Sequence, residues 1–465
     1  MKKSDLKGKK ILFVAYFYPP VKSNEVPGAM RIVKFIRNLT SGECHVLTIP
    51  PTVPQEQSSL NHLNLPVNKE YIHRIDAWDI FEWLIGLRNL VKKLLGKGGK
   101  KKEAVDTIDD RRVFKSEDSD TEVEPSKFQQ LKDFIHNLFY FPDQGGPWII
   151  PAYLFGKKLV RQRGIDIIFA TGSPWSGLLV GYLISKATGK HFIADFRDPW
   201  MNNPFHKSKG ALLDSWSAKL EKKIVEHAAK VSLNTNPLME EFVERFPHLS
   251  KSHFFVMPNG FDSSDFSCLP DNVEEKDPNI LTLCHAGFLY GVRDPAFLLN
   301  AIRKANEELV LEHRMVRFRQ IGNVSLAYDI RERYNDMIDS GSLILDEPRP
   351  YIECLSALKS ADWVVNIQPT TKSQVPSKLY DYLAINRPIL NITPTDGALA
   401  DLVKKYGLGE LFGFDDQQGL SDLLVRITRS RVSDKFKSYK SRDKFDYAVI
   451  TQDLVRVIFQ LQQTI

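Results

Sequence analysis

A lysine and an aspartate three residues apart, Lys378 and Asp381, have the types and spacing expected of a site for a phosphorylated ligand. They lie in the segment 376–384 (Pro-Ser-Lys-Leu-Tyr-Asp-Tyr-Leu-Ala), which predicts a short helix opening at Ser377. Free N–H groups and the positive dipole end of such a helix attract an anion, and Lys378 adds a full charge there. Asp381 shares the helical face and can accept two hydroxyl hydrogen bonds. The segment predicts a binding site for a diphosphate and a ribose, although an ordinary surface ion pair has the same spacing.

The residues before this helix favour the binding interpretation. The segment 360–367 predicts a helix end running into a buried strand, and 368–375 is then a polar loop at the carboxyl end of that strand. Ligands of α/β sheets collect at such ends.

This arrangement resembles the nucleotide-sugar signature of the family 4 glycosyltransferases, which are retaining enzymes of GT-B fold. In that signature an acidic residue is followed, after seven others, by a glutamate within a Lys-Leu-hydrophobic-Glu-Tyr helix. Asp381 matches the second acid, which holds the ribose in the family, and is one methylene shorter. Ser373 takes the place of the first acid, so a carboxylate role near the donor sugar does not carry over. The resemblance places Ser373, Ser377, Leu379 and Asp381 among the donor-binding residues.

A glycine loop ahead of this helix is similar to a second part of the family pattern. The segment 280–289 resembles the strand that opens the C-terminal domain of the family. Gly287 and Gly291 would allow close approach of the backbone to the donor, and Arg293 offers a planar fork to phosphate oxygens. The resemblance implies that Arg293 and Lys378 act on the donor diphosphate as catalytic cations. A βα turn with an exposed arginine is the alternative interpretation.

The N-terminal half supplies candidates for an acceptor side. Residues 10–15 predict a strand, 16–27 a Pro-containing loop, and 28–39 a helix. This resembles the first βα unit of the family, whose loop faces the interdomain cleft, and implies cleft positions for Gly28 and Arg31. A helix-surface position for Arg31 fits the pattern equally well. No GxGxxG is present in this turn, which disfavours dinucleotide binding there.

Two further strands end in polar loops. Residues 166–170 precede a Thr-Gly-Ser-Pro loop, and 191–194 precede Asp-Phe-Arg-Asp-Pro-Trp. The second loop resembles the Asp-x-Arg-Asp-x-Trp version of a loop that carries a catalytic-site His-Asp pair in many relatives. So many charges in six positions are costly unless they pair or bind something. Arg197 and Asp198 are therefore predicted as catalytic cleft residues, and Asp195 as a structural tie to a neighbouring helix. The acceptor-side residues predicted in the first loop are Thr171, Gly172 and Ser173.

Length and pattern predict two domains. A chain of 465 residues exceeds the size at which one core usually divides, and alternating strand and helix patterns favour parallel α/β sheets. The predicted division gives an N-terminal Rossmann-like domain over 1–265, with an insertion at about 50–140, and a nucleotide-sugar-binding Rossmann-like domain over 279–440. As in the family, residues 441–465 would form a helix that returns to the N-terminal domain.

A basic amphipathic segment lies within the insertion. Residues 80–102 place apolar side chains at helical spacing between lysines and an arginine, a pattern typical of helices in a membrane interface. A helix packed on the N-terminal domain with a solvated lysine tail fits equally well. The net charge of +6 and pI near 8.8 favour an anionic surface or a phosphate substrate, and no nucleic-acid motif stands out.

The cysteine pattern and the absence of targeting signals predict a cytoplasmic protein. The four cysteines show no paired spacing, which favours a reducing compartment and disfavours zinc or disulfides. No signal peptide and no apolar run of about 18 residues is visible. Since GT-B transferases do not need a DxD metal site, no metal or cofactor beyond the nucleotide-sugar co-substrate is expected.

The resemblance implies retaining transfer of a hexose-type sugar from a nucleoside diphosphate to a lipid-linked or saccharide acceptor in cell-surface polysaccharide synthesis. The membrane interpretation of 80–102 would place this reaction at the inner face of the cytoplasmic membrane. Two alternatives remain open. One is a non-catalytic GT-B-like protein that binds a glycolipid or a partner, which Ser373 and Asp381 keep in play. The other is a nucleotide-sugar epimerase, against which the Lys-Leu-Tyr-Asp-Tyr helix speaks.

Overall fold

The computed structural model describes residues 6–22, 26–58, 60, 63–78, 134–203, 208–266, 269, 276–368, 375–430 and 436–463. Two features predicted from the sequence, Ser373 and the basic segment 80–102, lie outside the described residues.

Within the part of the chain that the structure describes, seven parallel strands form the N-terminal sheet. They are β1 (Lys10–Val14), β2 (Glu43–Thr48), β3 (Tyr71–Arg74), β4 (Ile167–Gly172), β5 (His191–Phe196), β6 (Lys230–Leu233) and β7 (Phe254–Val256). Their spatial order is β3-β2-β1-β4-β5-β6-β7. The strand order therefore reverses between β1 and β4, where a parallel sheet of this kind opens a crevice for ligands. β4 is buried at every position because helices cover both faces of the sheet.

Helices cover both faces of this sheet. They are α1 (Val26–Asn38), α2 (Ile149–Arg163), α3 (Ser176–Thr188), α4 (Ala211–His227) and α5 (Asn236–Arg245). The capping chemistry of α5 shows how local sequence sets these boundaries. The Thr235 side chain accepts a hydrogen bond from the Leu238 N–H, and Pro237 lies in the first turn, where it has no N–H to lose.

In the described ranges of the C-terminal half, six parallel strands form the second sheet, in the order β12-β10-β8-β13-β14-β15. These strands are β8 (Ile280–Ala286), β10 (Met315–Ile321), β12 (Leu343–Asp346), β13 (Trp363–Ile367), β14 (Ile389–Ile392) and β15 (Glu410–Phe412). Two short strands, β9 (Leu289–Tyr290) and β11 (Val324–Ser325), pair with each other beside this sheet. The order reverses between β8 and β13, so the two strands that carry the predicted donor loops are neighbours.

Among the described residues, seven helices belong to the second sheet. They are α6 (Ala296–Leu309), α7 (Ile330–Arg333), α8 (Asn335–Asp339), α9 (Tyr351–Ser360), α10 (Lys378–Ile385), α11 (Ala398–Tyr406) and α12 (Gln417–Ser430). Separate apolar cores lie on the two faces of this sheet, as they do in the N-terminal half. The prediction of two parallel α/β units is confirmed.

The last helix, α13 (Tyr447–Gln463), returns to the N-terminal half as predicted. Ile450, Leu454 and Ile458 are buried in the same core as α1. The chain crosses between the halves at two adjacent places, because the Phe261 N–H donates to Phe445 O (3.0 Å) and the Tyr447 N–H donates to Phe261 O (2.8 Å).

None of the helices in the described ranges combines the length and the apolar character needed to cross a bilayer.

Candidate functional site

A cavity of about 820 Å³ opens between the two halves, and residues from both line it. Its size is within the range of small-molecule sites. Among the described residues that line it, six are Lys or Arg and two are Asp. A cleft with this balance of charge concentrates anions.

On the N-terminal wall of this cavity, the structure brings together most of the residues predicted for the acceptor side. The predicted residues that line the wall are Gly28, Arg31, Ser173, Arg197 and Asp198. Thr171 and Gly172 are not among the described residues that line it. The Thr171 hydroxyl donates to Asp195 instead (2.8 Å), and Gly172 lies against the Trp175 ring, where a Cβ would come within 2.7 Å of a ring carbon.

Asp195 is the structural tie that its sequence position predicts. Its carboxylate, 0% exposed, accepts from Arg31 Nε and Nη2 (2.8 Å each), from Thr171 Oγ1 (2.8 Å) and from Ser232 Oγ (2.8 Å). Four hydrogen bonds therefore compensate one buried charge, and they join α1, β4 and β6 to β5.

Arg31 has a different role from the free cleft cation that the resemblance implied. It is 2% exposed, and beyond Asp195 it donates to Met257 O (2.8 Å), Pro258 O (3.3 Å) and Asn259 Oδ1 (3.0 Å). Burial by itself would lower the pKa of Arg31, but Asp195 more than offsets this and raises it. All five N–H groups are bound within the protein, so Arg31 holds the wall in place and offers none to a ligand.

Arg197 differs from Arg31 because one of its guanidinium nitrogens has no hydrogen-bond partner within the described structure. Its Nη2 donates to Ser173 O (3.0 Å) and its Nε to Asp198 Oδ2 (3.3 Å), while its buried Nη1 has no hydrogen-bond partner within the described structure. Nη1 lies 2.8 Å from where a Cβ on Gly28 would be. The absence of a side chain at Gly28 therefore makes room for the guanidinium at the cleft.

On the C-terminal wall, the predicted residues that line the cavity are Gly287, Arg293, Ser377, Lys378 and Asp381. α10 begins at Lys378, with Ser377 as its N-cap, and its positions 379, 380, 382 and 383 are buried. The helix therefore turns Lys378 and Asp381 toward the cleft.

Two residues predicted to bind the donor do not lie in the lining described here. The Leu379 side chain is 0% exposed in the core, because the residue after Lys378 is rotated by about 100° around the helix. Gly291 is exposed, with nothing within 4 Å of where its Cβ would be. Only Gly287 shows the expected close approach, since a Cβ there would lie 2.0 Å from Lys378 Nζ and its φ is +131°.

Lys378 and Arg293 form the cationic end of this wall. Burial lowers the pKa of Lys378 to about 7, with Arg293 acting in the same direction and Asp381 and Cys354 opposing. The Arg293 guanidinium carbon lies 5.4 Å from the centre of the Tyr290 ring. Its buried Nε has no hydrogen-bond partner in the described part of the chain.

Asp381 meets two residues that sequence reasoning missed. Tyr351 donates its hydroxyl to Asp381 Oδ1 (3.1 Å), and Lys34 on the opposite wall interacts with the same carboxylate. Burial raises the pKa of Asp381, while Lys34 and the Tyr351 hydrogen bond oppose the rise. Neither Tyr351 nor Lys34 belongs to a recognisable motif. The only available signal was a lysine on α1, the helix of the first βα unit.

Within the described ranges, no group of three or more His, Cys, Asp and Glu side chains is placed to hold a metal ion.

No protein-family model matches the sequence, and no curated protein matches it. Solved structures are similar to nearly the whole chain. The lipopolysaccharide outer core galactosyltransferase WaaB, in its apo form, has 12% identity and a TM-score of 0.53, over 97% of this chain and 99% of that one. HepE from Anabaena, in complex with UDP and glucose, has 12% identity and a TM-score of 0.54, over 97% and 100%. A putative UDP-N-acetylglucosamine 2-epimerase from Listeria monocytogenes has 11% identity and a TM-score of 0.52, over 99% and 98%.

These similarities, together with the two parallel sheets and the returning helix, show the GT-B fold. At 11 to 12% identity they show the fold alone.

The buried Asp195 network gives a first prediction. Asp195→Asn leaves Arg31 charged and buried without a compensating carboxylate, and should cost about 3–5 kcal/mol of unfolding free energy. A drop on the order of 10 °C in the N-terminal unfolding transition is expected by calorimetry. Asp198→Asn is the matched control, because its ion pair with Arg197 is partly exposed and should contribute less than about 1 kcal/mol. Equal melting of the two variants would contradict the structural role of Asp195.

Proposed function

We propose that this protein is a glycosyltransferase that takes its sugar from a nucleoside diphosphate bound at the C-terminal wall of the cleft. The observation that carries the proposal is the convergence of Lys378, Arg293 and the close-approach Gly287 at one point of the cavity. Arg293 retains a buried donor without a partner in the described structure, and an anion is the natural acceptor for it. The similar structures include a galactosyltransferase and a complex with UDP and glucose, which agrees with this function.

We propose a position for the donor in which its anionic part meets the cations and its hydroxyl groups meet the carboxylate. The diphosphate lies against Lys378, Arg293 and the backbone at Gly287, and the ribose hydroxyls donate to Asp381. As the glycosidic bond breaks, negative charge grows on the leaving phosphate, and the two cations stabilise it. Two cations suffice to neutralise a diphosphate, so we propose that no metal ion takes part.

Acceptor recognition is assigned to the opposite wall. Arg197 Nη1 is a donor without a partner in the described structure, and Asp198 beside it is partly exposed to the cleft. We propose that these two residues face the acceptor hydroxyl and that transfer retains the anomeric configuration. Front-face attack assisted by the leaving phosphate fits this arrangement, since the cavity lining described here offers no carboxylate pair at the C-terminal wall to act as nucleophile and acid.

An epimerase is the second candidate, because one similar structure is a putative UDP-N-acetylglucosamine 2-epimerase. No histidine is found among the described residues that line the cavity, which favours transfer over an epimerase that works through cleft carboxylates and histidines. A non-catalytic binding protein has the same fold and is separated from both by the nucleotide experiment below.

The donor site is tested with UDP, GDP, ADP and CMP in calorimetric titrations containing EDTA. We expect one nucleoside diphosphate to bind at micromolar concentration, and Asp381→Ala to weaken it by roughly ten- to a hundredfold because charge-assisted hydrogen bonds are lost. Asp401→Ala, an exposed carboxylate on α11, is the matched control and should bind like the parent protein.

Two results would contradict the donor site. A folded protein that binds none of the four nucleotides points to the non-catalytic alternative. Binding that is unchanged in Asp381→Ala removes the ribose assignment. A different outcome, conversion of a nucleotide sugar in the absence of any acceptor, would leave the donor site in place and favour the epimerase.

The stereochemistry is a separate prediction. The glycoside formed should have the same anomeric configuration as the donor sugar, read by NMR on the product. A reaction without acceptor controls for hydrolysis. An inverted product would exclude front-face attack, since inversion requires the acceptor to approach from the opposite face.

We propose further that the acceptor is lipid-linked, serves cell-surface polysaccharide synthesis and is met at the inner face of the cytoplasmic membrane. Exposed apolar side chains on the N-terminal half, Ile150 and Leu154 on α2 and Leu212 and Trp216 on α4, agree with contact to a lipid surface.

Liposome flotation tests the membrane proposal. The full chain should float with vesicles containing anionic lipid, and a variant lacking residues 80–102 should remain largely unbound because the basic segment supplies the electrostatic attraction. Neutral vesicles are the control and should bind the full chain weakly. Equal flotation of both proteins would remove the segment from membrane binding.

A further inference from the structure

Behind the cationic end of the C-terminal wall, a buried polar relay joins Gln320 on β10 to His285 on β8. Gln320 is 0% exposed and His285 is 1% exposed. The Gln320 amide nitrogen donates to Gly287 O (2.6 Å), so its Oε1 faces His285 Nδ1 as an acceptor at 2.6 Å. Nδ1 must therefore carry the proton, and Nε2 is left as an acceptor.

The accepting Nε2 faces Lys378. It lies 3.3 Å from Lys378 Nζ, so the lysine tip is in hydrogen-bond contact with β8. Gly287 allows this contact, because any Cβ at that position would collide with Nζ. Lys378 Nζ is therefore placed by His285 on β8 and by the glycine backbone at position 287.

Burial lowers the pKa of both His285 and Lys378. Burial strongly lowers the pKa of His285, with Lys378 and Arg293 acting in the same direction and the Gln320 hydrogen bond opposing. The groups facing Lys378 are His285 on β8, Arg293 after β9, Cys354 on α9 and Asp381 on its own helix, the last of which Tyr351 holds. The pKa of Lys378 falls to about 7 in these surroundings, chiefly through burial. Lysine deprotonation is therefore accessible near neutral pH.

We propose that His285 is a positioning residue that holds Lys378 through Nε2 in the empty cleft, so that the lysine takes up one proton from solvent when the donor diphosphate binds. An amine donates one N–H to Nε2 and keeps its lone pair for that proton. The arriving diphosphate stabilises the ammonium form, whose remaining N–H groups point to phosphate oxygens. Release of the nucleoside diphosphate returns the proton to solvent. This inference rests on the proposed donor site.

The sign of the pH dependence follows. Anion binding favours charged Lys378, so the lysine pKa is higher in the complex than in the free protein, and affinity falls as pH rises above about 7. The fall approaches tenfold per pH unit at most, until the pKa of the complex is reached. Measurement from pH 7 to 9 avoids the second phosphate ionisation of the nucleotide, near pH 6.

Calorimetric titration with UDP at pH 8, in two buffers of different ionisation enthalpy, measures the proton directly. Net proton uptake should accompany UDP binding, because burial lowers the pKa of Lys378 to about 7 and the lysine is then largely neutral at pH 8. Lys378→Arg should bind UDP with uptake near zero and affinity nearly independent of pH, because a guanidinium stays charged.

The positioning role of His285 has its own readout. His285→Phe removes the acceptor and should weaken UDP binding at pH 8 at least tenfold. His285→Gln can still accept from Nζ through its amide oxygen and should recover most of that affinity. His248→Gln, an exposed position bonded to Glu226, is the control and should match the parent protein. Thermal unfolding of each variant confirms that it is folded.

The outcomes separate this inference from the proposed function. UDP binding with no proton uptake by the parent protein overturns the inference and leaves the donor site standing. Equal affinity losses in the Phe and Gln variants, or no loss in either, overturn the positioning role of His285. Failure to bind any nucleoside diphosphate overturns the inference and the proposed function together. The parent and Lys378→Arg measurements decide proton uptake even if a His285 variant does not fold.

Discussion

The N-terminal wall depends on one buried ion pair, that of Asp195 with Arg31. Neither charge can be taken out of water alone, so each must find its partners inside the protein. Those partners come from α1, from the ends of β4 and β6, and from the backbone at Met257 and Pro258. Satisfying the pair therefore fixes the first helix and three neighbouring strand ends in one arrangement. Arg197, two residues after Asp195, takes its place at the cleft as a consequence.

The two walls use their cations in different ways. Every side-chain N–H of Arg31 donates a hydrogen bond within the protein. By contrast, Arg197 Nη1 and Arg293 Nε are buried donors without a partner among the described residues. Lys378 is held by a neutral histidine and not by a carboxylate. Cations that are fully paired support the fold, and cations that are incompletely paired remain able to bind a ligand. The hydrogen bonds of each cation therefore distinguish those that support the fold from those that can bind a ligand, which residue type alone does not.

The link between the halves lies beside this cleft. Gly260 packs so closely on the second crossing that a Cβ would come within 2.4 Å of Phe445 O. Lys34 donates to Gly260 O (3.1 Å), lies 5.5 Å from the centre of the Tyr447 ring and interacts with Asp381 on the opposite wall. One lysine therefore contacts both chain crossings and the predicted ribose carboxylate, so a change in the angle between the halves would alter the surroundings of the donor site.

The sequence by itself determined the alternation of strands and helices, the helix that carries Lys378 and Asp381, and the strand that ends just before Gly287. These follow from periodicity, capping and turn chemistry, which act over a few residues. Only the tertiary structure decided that every side-chain N–H of Arg31 is bound, two of them by Asp195, 164 residues away, and that Leu379 turns into the core. It alone brought His285 to Lys378, 93 residues further along the chain. The physical reason is that burial and hydrogen-bond partners are set by strand order and by the position of the two halves, which no local pattern encodes.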